Sequence, residues 1–202
     1  MNKKLKDIFT NIYDTNLWKS EESVSGTGSE IKMTKHLING LNNIIRRYDI
    51  LSLFDAPCGD FNWMKEVNLD GLYYIGGDIV EPIINRNKET YPLYDFRVCD
   101  ITTDQLPKVD LIFTRDCLVH LNYEKINKFI ENIKKSDCKY LLTTSFENKN
   151  NVDIVDGDWR PINLRRHPFN LINPIDVIDE KCTENYPLYS DKVMLLYKIS
   201  DL

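Results

Sequence analysis

The sequence lacks several features that would define its class at once. No apolar run approaches the roughly 20 residues of a membrane span, and no apolar segment of a signal peptide follows the basic start of the chain. The five cysteines are odd in number and have no CxxC spacing, which disfavours a disulfide framework or a metal site. We therefore expect free thiols, a cytoplasmic location, no membrane association and no bound metal.

The sequence also lacks an excess of positive charge. Its net charge of −5 argues against broad nucleic-acid binding, which usually requires a basic surface. With 202 residues, 42% of them hydrophobic, the chain is long enough for one globular domain with a real core. We expect a single domain over residues 1–202, without internal repeats, present as a monomer or a homodimer.

Strand-like apolar segments alternate with segments of amphipathic helical spacing, among them the stretch over residues 1–18. This rhythm predicts an α/β fold with a parallel sheet. Two further strand-like segments near the end of the chain predict a closing hairpin. The expected strands are 50–55, 73–78, 94–98, 109–114, 140–145, 176–182 and 192–199.

The end of the first strand is the most informative stretch. Asp55 is followed by the chain breakers Pro57 and Gly59, which predicts a buried strand that stops in a turn. Ligands of open α/β sheets bind just beyond such strand ends, so Asp55 and Gly59 are candidates for holding a nucleotide-like cofactor. Asp78 ends the next strand about 20 residues on, where these folds place a ribose-binding carboxylate. A short helix over residues 61–67 is expected to point its N-terminus at the cofactor.

Two other classes of protein remain open at this point. An NAD-dependent oxidoreductase would share the acids at the strand ends, but Pro57 and Phe61 stand where the GxGxxG fingerprint requires glycine. A non-catalytic binding or scaffold protein is the second alternative, because the glycine loop is atypical. The acids at the strand ends and the charged Arg115–Asp116 pair favour a working site.

The order of the motifs resembles that of class I S-adenosylmethionine-dependent methyltransferases. Within it, the string DAPCGDFNWM over residues 55–64 is similar to a small bacterial-type subfamily, as are residues 114–121 and 157–164. The resemblance runs from about Trp18 to the end of the chain. It implies a Rossmann-like doubly wound sheet of about seven strands, the last one antiparallel, with helices on both faces and S-adenosyl-L-methionine as the cofactor.

The resemblance also implies which residues contact the cofactor. An acid in the place of Asp100 accepts a hydrogen bond from the adenine amino group, and Ile101 touches the ring, although an exposed turn is the alternative for Asp100. The Gly/Ser-rich stretch 21–30, within the N-terminal segment 1–48, has backbone amides that can hold a carboxylate; a flexible linker is its alternative. The full expected set is Ser25, Gly28, Asp55, Pro57, Gly59, Asp78, Ile79, Asp100, Ile101 and Arg115.

The segment Arg115–His120 carries three ionisable side chains in six residues. If it is helical, Asp116 and His120 share a face at i and i+4. A carboxylate beside an imidazole can orient it and raise its basicity, which suits removal of a proton from a substrate hydroxyl. We expect both residues to be catalytic; packing of His120 under the sheet is the alternative.

Residues 146–174 interrupt the α/β rhythm with three prolines and little apolar periodicity. Long irregular segments in compact domains are usually functional or disordered. This one also concentrates arginine, which binds phosphate and carboxylate in a bidentate way. We interpret it as a loop that covers the acceptor, with a solvated charged loop as the alternative. The expected substrate contacts are Trp159, Arg160, Asn163 and Arg165.

The acceptor is predicted only by class. A compact chain favours a small molecule over a protein or polynucleotide, and the arginines indicate an anionic or sugar-linked one. A hydroxyl of a sugar, nucleotide-sugar or glycan fits, and the subfamily resemblance points the same way. Residues 114–117 stand where amide and adenine N-methyltransferases carry an Asn-Pro-Pro-Tyr-like signature, so we expect O-methylation.

Overall fold

The computed structural model describes residues 4–202. The first three residues of the helix predicted over 1–18 lie outside the described residues. Helix α1 (Leu5–Asp14) buries Leu5 and Ile12; it ends four residues before the predicted end at Trp18, because residues 15–18 form a turn. The other helices are α2 (Ile31–Arg47), α3 (Glu81–Thr90) and α4 (Tyr123–Lys135).

Seven strands form one sheet. They are β1 (Ser52–Asp55), β2 (Tyr73–Asp78), β3 (Asp95–Val98), β4 (Leu111–Thr114), β5 (Tyr140–Phe146), β6 (Asp176–Asp179) and β7 (Lys192–Lys198). Their order is β3-β2-β1-β4-β5-β7-β6. Strands β1 to β5 are parallel, and β7 is antiparallel to β5 and β6. The predicted Rossmann-like sheet of seven strands with an antiparallel last strand is confirmed.

A hydrophobic core lies on each face of the sheet. Because successive strand residues point to opposite faces, Leu53 enters one core and Phe54 the other. Helix α2 covers the Leu53 face and helix α4 covers the Phe54 face, so the prediction of helices on both faces is also confirmed. The helices contribute Leu37, Leu41 and Ile44 from α2, and Ile126, Phe129 and Ile133 from α4.

The sheet brings several charged strand ends to one edge. The chain moves outward from β1 in two directions, through β2 and β3 and through β4 and β5, and the carboxyl ends of these parallel strands share an edge. Because β7 runs the other way, its first residue, Lys192, lies at that same edge, in register with Phe146 at the end of β5.

The helix predicted over residues 61–67 is wrong. Only a 3₁₀ turn over Met64–Glu66 forms there. Phe61 has a φ of 60°, which no right-handed helix accepts. Its buried ring packs against four aromatic rings, with centroid distances of 4.9 to 5.5 Å, so tertiary packing decides the local backbone. The four partners are Tyr74, Tyr91, Tyr94 and Phe96.

Residues 147–175 contain no helix or strand, yet they are packed on the domain. The amides of Gly157 and Arg160 donate to the carbonyls of His120 and Val119 at 2.9 and 3.1 Å. Ile162 and Leu164 join the core on the Phe54 face. A solvated charged loop would not be anchored to the domain by such buried contacts. None of the helices in residues 4–202 has the length and apolarity to cross a membrane.

Candidate active site

A cavity of about 360 Å³ opens at the carboxyl edge of the sheet, within the size range of small-molecule sites. All ten predicted cofactor contacts line it, and so do Asp116, His120 and Trp159. The sheet order divides the lining into two parts. We call the part around Asp55, Gly59, Asp78, Asp100 and Ile101 the β1–β3 end. The part around Trp18, Asp116, His120, Trp159 and Lys192 is the β4–β7 end.

Asp78 fixes the turn after β1. Its two carboxylate oxygens accept hydrogen bonds from the amides of Gly59 and Val80, at 3.1 and 2.9 Å. Burial raises the pKa of Asp78 to about 6, with the amide hydrogen bonds opposing the shift. At neutral pH the side chain is therefore mostly a carboxylate that holds the glycine loop against the end of β2.

Asp55 is chemically different from Asp78. It is buried and accepts a 2.7 Å hydrogen bond from the hydroxyl of Tyr74. Burial raises the pKa of Asp55 to about 8, although the Tyr74 hydrogen bond acts to lower it. Most Asp55 side chains are thus neutral at pH 7, so this residue supplies a carboxylic acid rather than a full charge.

Gly59 lies directly under the loop formed by residues 23–28. It has a φ of 52°, and a Cβ there would stand 2.0 Å from Ser25 Oγ, so any side chain at this position would strain the backbone and displace the Ser25 hydroxyl. The loop is fastened at one end by Asp60, which accepts hydrogen bonds from Ser23 Oγ and the Val24 amide, both at 2.9 Å. These contacts make the loop a fixed wall of the cavity rather than a flexible linker.

Asp100 lies in a turn, but the turn lines the cavity. Its Oδ1 accepts hydrogen bonds from the amide and the hydroxyl of Thr102, at 2.9 and 2.6 Å. No hydrogen bond from residues 4–202 uses Oδ2, and the side chain is only partly buried. Ile101 beside it is buried. A hydrogen-bond acceptor and an apolar surface therefore stand next to each other at the outer limit of the β1–β3 end.

The β4–β7 end contains a buried network of two cations and two anions. Lys192 Nζ lies 2.6 Å from Asp116 Oδ2 and 3.5 Å from Glu180 Oε2. Arg115 is 2.8 Å from Glu180 Oε2 and 3.3 Å from Asp116 Oδ2, and it donates to the carbonyl of Gly28 at 3.0 Å. Such a network is stable only when every charge has a partner. The guanidinium of Arg115 is thus committed to protein groups and fixes the 23–28 loop from its second end.

Asp116 is held as an anion. Burial would raise its pKa, but Lys192 and Arg115 outweigh that effect and lower the pKa to about 2. Only its Oδ2 is paired among the described residues, and about a quarter (27%) of the side chain is exposed. Asp116 is therefore a weak base that still presents a carboxylate oxygen to the cavity.

His120 is oriented by groups other than Asp116. Its Nδ1 lies 2.9 Å from the carbonyl oxygen of Asp158; because a carbonyl only accepts, Nδ1 carries the proton and Nε2 keeps its lone pair. Trp18 stacks on the ring at 5.0 Å, and Phe9 meets it edge-on. Burial lowers the pKa of His120 below its ordinary value of 6.5, so the ring is neutral at pH 7.

The predicted i, i+4 pairing of Asp116 with His120 is wrong. Asp116 has a φ of 50°, outside the helical region, and only Leu118–His120 form a 3₁₀ turn. The amide of Asp116 is instead held by Thr144 Oγ1 at 2.9 Å.

Of the predicted substrate contacts, only Trp159 lines the cavity. Its ring packs edge-on against Tyr189 and Phe146, at 4.9 and 6.1 Å between centroids. It remains 41% exposed. Trp159 thus extends an aromatic wall towards the mouth of the cavity.

The other three predicted substrate contacts do not line the cavity, because their side chains bind protein groups instead. Buried Arg160 donates to the carbonyls of Leu118 and Leu121, at 2.6 and 2.7 Å. Buried Asn163 donates to the carbonyl of Glu147 at 2.9 Å. Arg165 lies on the surface, 2.7 Å from a carboxylate oxygen of Glu147. These side chains tie the irregular segment to the domain, because its main chain lacks the hydrogen bonds of regular structure.

Sequence reasoning missed several residues of the β4–β7 end. Trp18, Glu184, Tyr189 and Lys192 all line the cavity. A signal existed for Lys192, since a lysine that opens the apolar run Val193–Tyr197 stands where a buried charge needs a partner. The others lie outside the strands, and nothing in their local pattern distinguishes them.

The sheet order and the antiparallel last strand define the fold of class I S-adenosylmethionine-dependent methyltransferases. A methyltransferase of this kind from Clostridium acetobutylicum has a TM-score of 0.61 and 13% identity, over 96% of this chain and 99% of that one. The 1,6-didemethyltoxoflavin-N1-methyltransferase of Burkholderia thailandensis, with its acceptor and S-adenosylhomocysteine bound, has a TM-score of 0.62 and 13% identity, over 96% and 86%.

A viral protein is similar in sequence. The chain is 25% identical over 146 residues to Putative methyltransferase 235L of Invertebrate iridescent virus 6. The match covers 70% of this chain and 54% of the viral protein, so the chain spans about half the length of that relative. No protein-family model matches the chain.

Proposed function

We propose that this protein is an S-adenosylmethionine-dependent methyltransferase that acts on a small-molecule acceptor. One observation carries the proposal: the ends of β1, β2 and β3 place Asp55, Asp78 and Asp100 around one cavity, beside a glycine loop whose Gly59 lies directly under Ser25. Ligands of this fold bind at that edge. The viral relative and the structural neighbours, which are methyltransferases by name, support the same activity.

The residues of the β1–β3 end fit the parts of this cofactor. The Asp78 carboxylate accepts hydrogen bonds from ribose hydroxyls, and the unpaired Oδ2 of Asp100 accepts one from the adenine amino group, with Ile101 against the ring. The fixed loop around Ser25 and Gly28 closes the remaining side. When bound, S-adenosylmethionine supplies an electrophilic methyl group on a sulfonium.

His120 is the proton acceptor in this proposal, and Asp116 has a different role. The Nε2 lone pair of a neutral imidazole would take the proton of an acceptor hydroxyl as that oxygen bonds to the methyl carbon, whose bond to the sulfonium sulfur breaks with its electron pair left on sulfur. A carboxylate with a pKa of about 2 is a poor base, so Asp116 positions the acceptor through its unpaired oxygen. Trp159 lies against the same space.

The acceptor atom is a hydroxyl oxygen in this proposal. The sequence predicted a hydroxyl of a sugar, nucleotide-sugar or glycan; that finer assignment stays a prediction, and the aromatic lining of the β4–β7 end favours a different class of acceptor. The predicted negative charge on the acceptor loses support, because Arg160 and Arg165 bind protein groups instead of facing the cavity. A cytoplasmic location and a monomeric or homodimeric state stay predictions.

The first test is calorimetric titration of the purified protein with S-adenosylmethionine and, separately, with NAD. We expect micromolar binding of S-adenosylmethionine and none of NAD. Binding of NAD alone would indicate that the protein is an oxidoreductase instead. If neither ligand binds, the scaffold alternative gains and the methyltransferase proposal fails.

A further inference from the structure

The β4–β7 end is walled by aromatic side chains in two groups. Trp18 and Phe9 pack around the His120 ring, while Trp159 and Tyr189 meet with Phe146 beneath them. The groups adjoin, because the Asp158 carbonyl that binds His120 directly precedes Trp159. With Tyr13, these aromatic residues line the same cavity.

The same end presents no free cation among the described residues. Apart from His120, the basic side chains that line the cavity are Arg115 and Lys192. Both are buried, and both form ion pairs with Asp116 and Glu180. Asp116 is already part of this pairing, and one further acid, Glu184, lines this end. An anion entering here would thus meet carboxylates and the negative faces of aromatic rings without a compensating charge.

From the aromatic wall and the charge balance together, we infer that the acceptor is a flat aromatic hydroxy compound that is uncharged or cationic. This inference rests on the proposed function and assigns its substrate class. The ring of the acceptor packs against the Trp159 side of the wall, and its hydroxyl faces Nε2 of His120. A positive substituent gains from the ring faces and the acids, whereas a carboxylate or phosphate is rejected by both.

Three probes with the same phenol and different charges test the inference. They are tyrosol (neutral), tyramine (cationic) and 4-hydroxyphenylacetate (anionic), titrated by calorimetry in the presence of S-adenosylhomocysteine. Tyrosol and tyramine are expected to bind at least roughly tenfold more tightly than the anion. Methyl glucoside, a neutral saturated ring, tests flatness and should bind more weakly than tyrosol.

Variants separate the wall from the charge. Trp159→Ala should weaken tyrosol binding about tenfold, while Trp159→Phe, which keeps a flat ring, should lose much less. Glu184→Gln should improve binding of the anionic probe about threefold or more and leave tyrosol unchanged. Arg165→Gln, on the surface away from the cavity, is the matched control and should change neither.

The outcomes distinguish this inference from the proposed function. If S-adenosylmethionine does not bind at all, the proposed function itself fails. If it binds but the anion equals or exceeds tyrosol, the charge assignment is overturned. If methyl glucoside binds better than tyrosol, or no probe binds, the assignment of a flat aromatic acceptor is overturned while the methyltransferase proposal stands.

Discussion

The two ends of the cavity are built in different ways. At the β1–β3 end each acid lies at the end of its own strand or just after it, and the Gly59–Asp78 hydrogen bond spans 19 residues. At the β4–β7 end the Lys192–Asp116 contact spans 76 residues. Trp18, which stacks on His120, comes from the N-terminal part of the sequence. The first end is dictated by where strands stop. The second end exists only after the whole domain has folded.

The largest expected effect tests the first end alone. Asp78→Ala removes the acceptor of two loop amides and leaves them buried and unpaired, which is costly. We expect S-adenosylmethionine binding to disappear in calorimetry while the fold persists by circular dichroism. Asp70→Ala, at an exposed position, is the control and should bind normally. Unchanged affinity in Asp78→Ala would remove Asp78 from the cofactor site.

The next largest expected effect concerns turnover and tests the β4–β7 end without changing the β1–β3 end. His120→Gln should reduce turnover about 100- to 10,000-fold, the usual contribution of a general base, with cofactor affinity retained. Because burial lowers the pKa of His120 and the protonated ring cannot accept a proton, wild-type kcat should rise with pH, and the midpoint of that rise should lie below the ordinary imidazole value of 6.5.

Asp116→Asn is the companion variant in that experiment. It should also spare cofactor binding and lose turnover, but it should keep the pH limb, because the base is still present. The measurement is initial rate against pH at saturating S-adenosylmethionine. A pH limb that survives in His120→Gln and vanishes in Asp116→Asn would reverse the two roles.

A smaller effect concerns the stability of the second end. Among the described residues, Lys192→Met leaves Arg115 as the one cation beside the buried carboxylate of Glu180 and the partly exposed carboxylate of Asp116, and we expect the free energy of unfolding to fall by about 3–5 kcal/mol. Lys139→Met removes an ion pair between an exposed lysine and the partly buried Asp110 and should cost under about 1 kcal/mol. Urea denaturation measures both. Equal losses would mean that the buried network contributes no more than a surface pair.

The smallest effect asks whether the loop over Gly59 belongs to the first end. Gly59→Ala and Gly71→Ala both place alanine at positive φ, so both should lose about 1 kcal/mol of stability. Only at Gly59 does the new Cβ meet Ser25, whereas nothing lies within 4 Å at Gly71. Cofactor affinity should therefore fall roughly tenfold, or about 1.4 kcal/mol, in Gly59→Ala alone. Matching affinities would exclude the loop from binding.

Sequence reasoning predicted the sheet and the positions of the strand-end acids, because apolar strands and chain breakers are local signals. It failed where contacts are distant. The arginines at 160 and 165 have side chains suited to anions, but Arg160 faces inward to the carbonyls of a segment without regular structure. The helical spacing from Asp116 to His120 was equally suggestive, but the left-handed backbone at Asp116 leaves no local signature.

Arg115 connects the two ends of the cavity, which has a consequence for how ligands at the two ends influence each other. Its guanidinium holds Gly28 of the 23–28 loop with one nitrogen and Glu180 with another, so it belongs to both ends of the cavity. Any displacement of this loop by a ligand would therefore be transmitted through Arg115 to the Asp116–Lys192 pair. Thermodynamic linkage makes this coupling reciprocal: the factor by which the cofactor changes acceptor affinity is the factor by which the acceptor changes cofactor affinity.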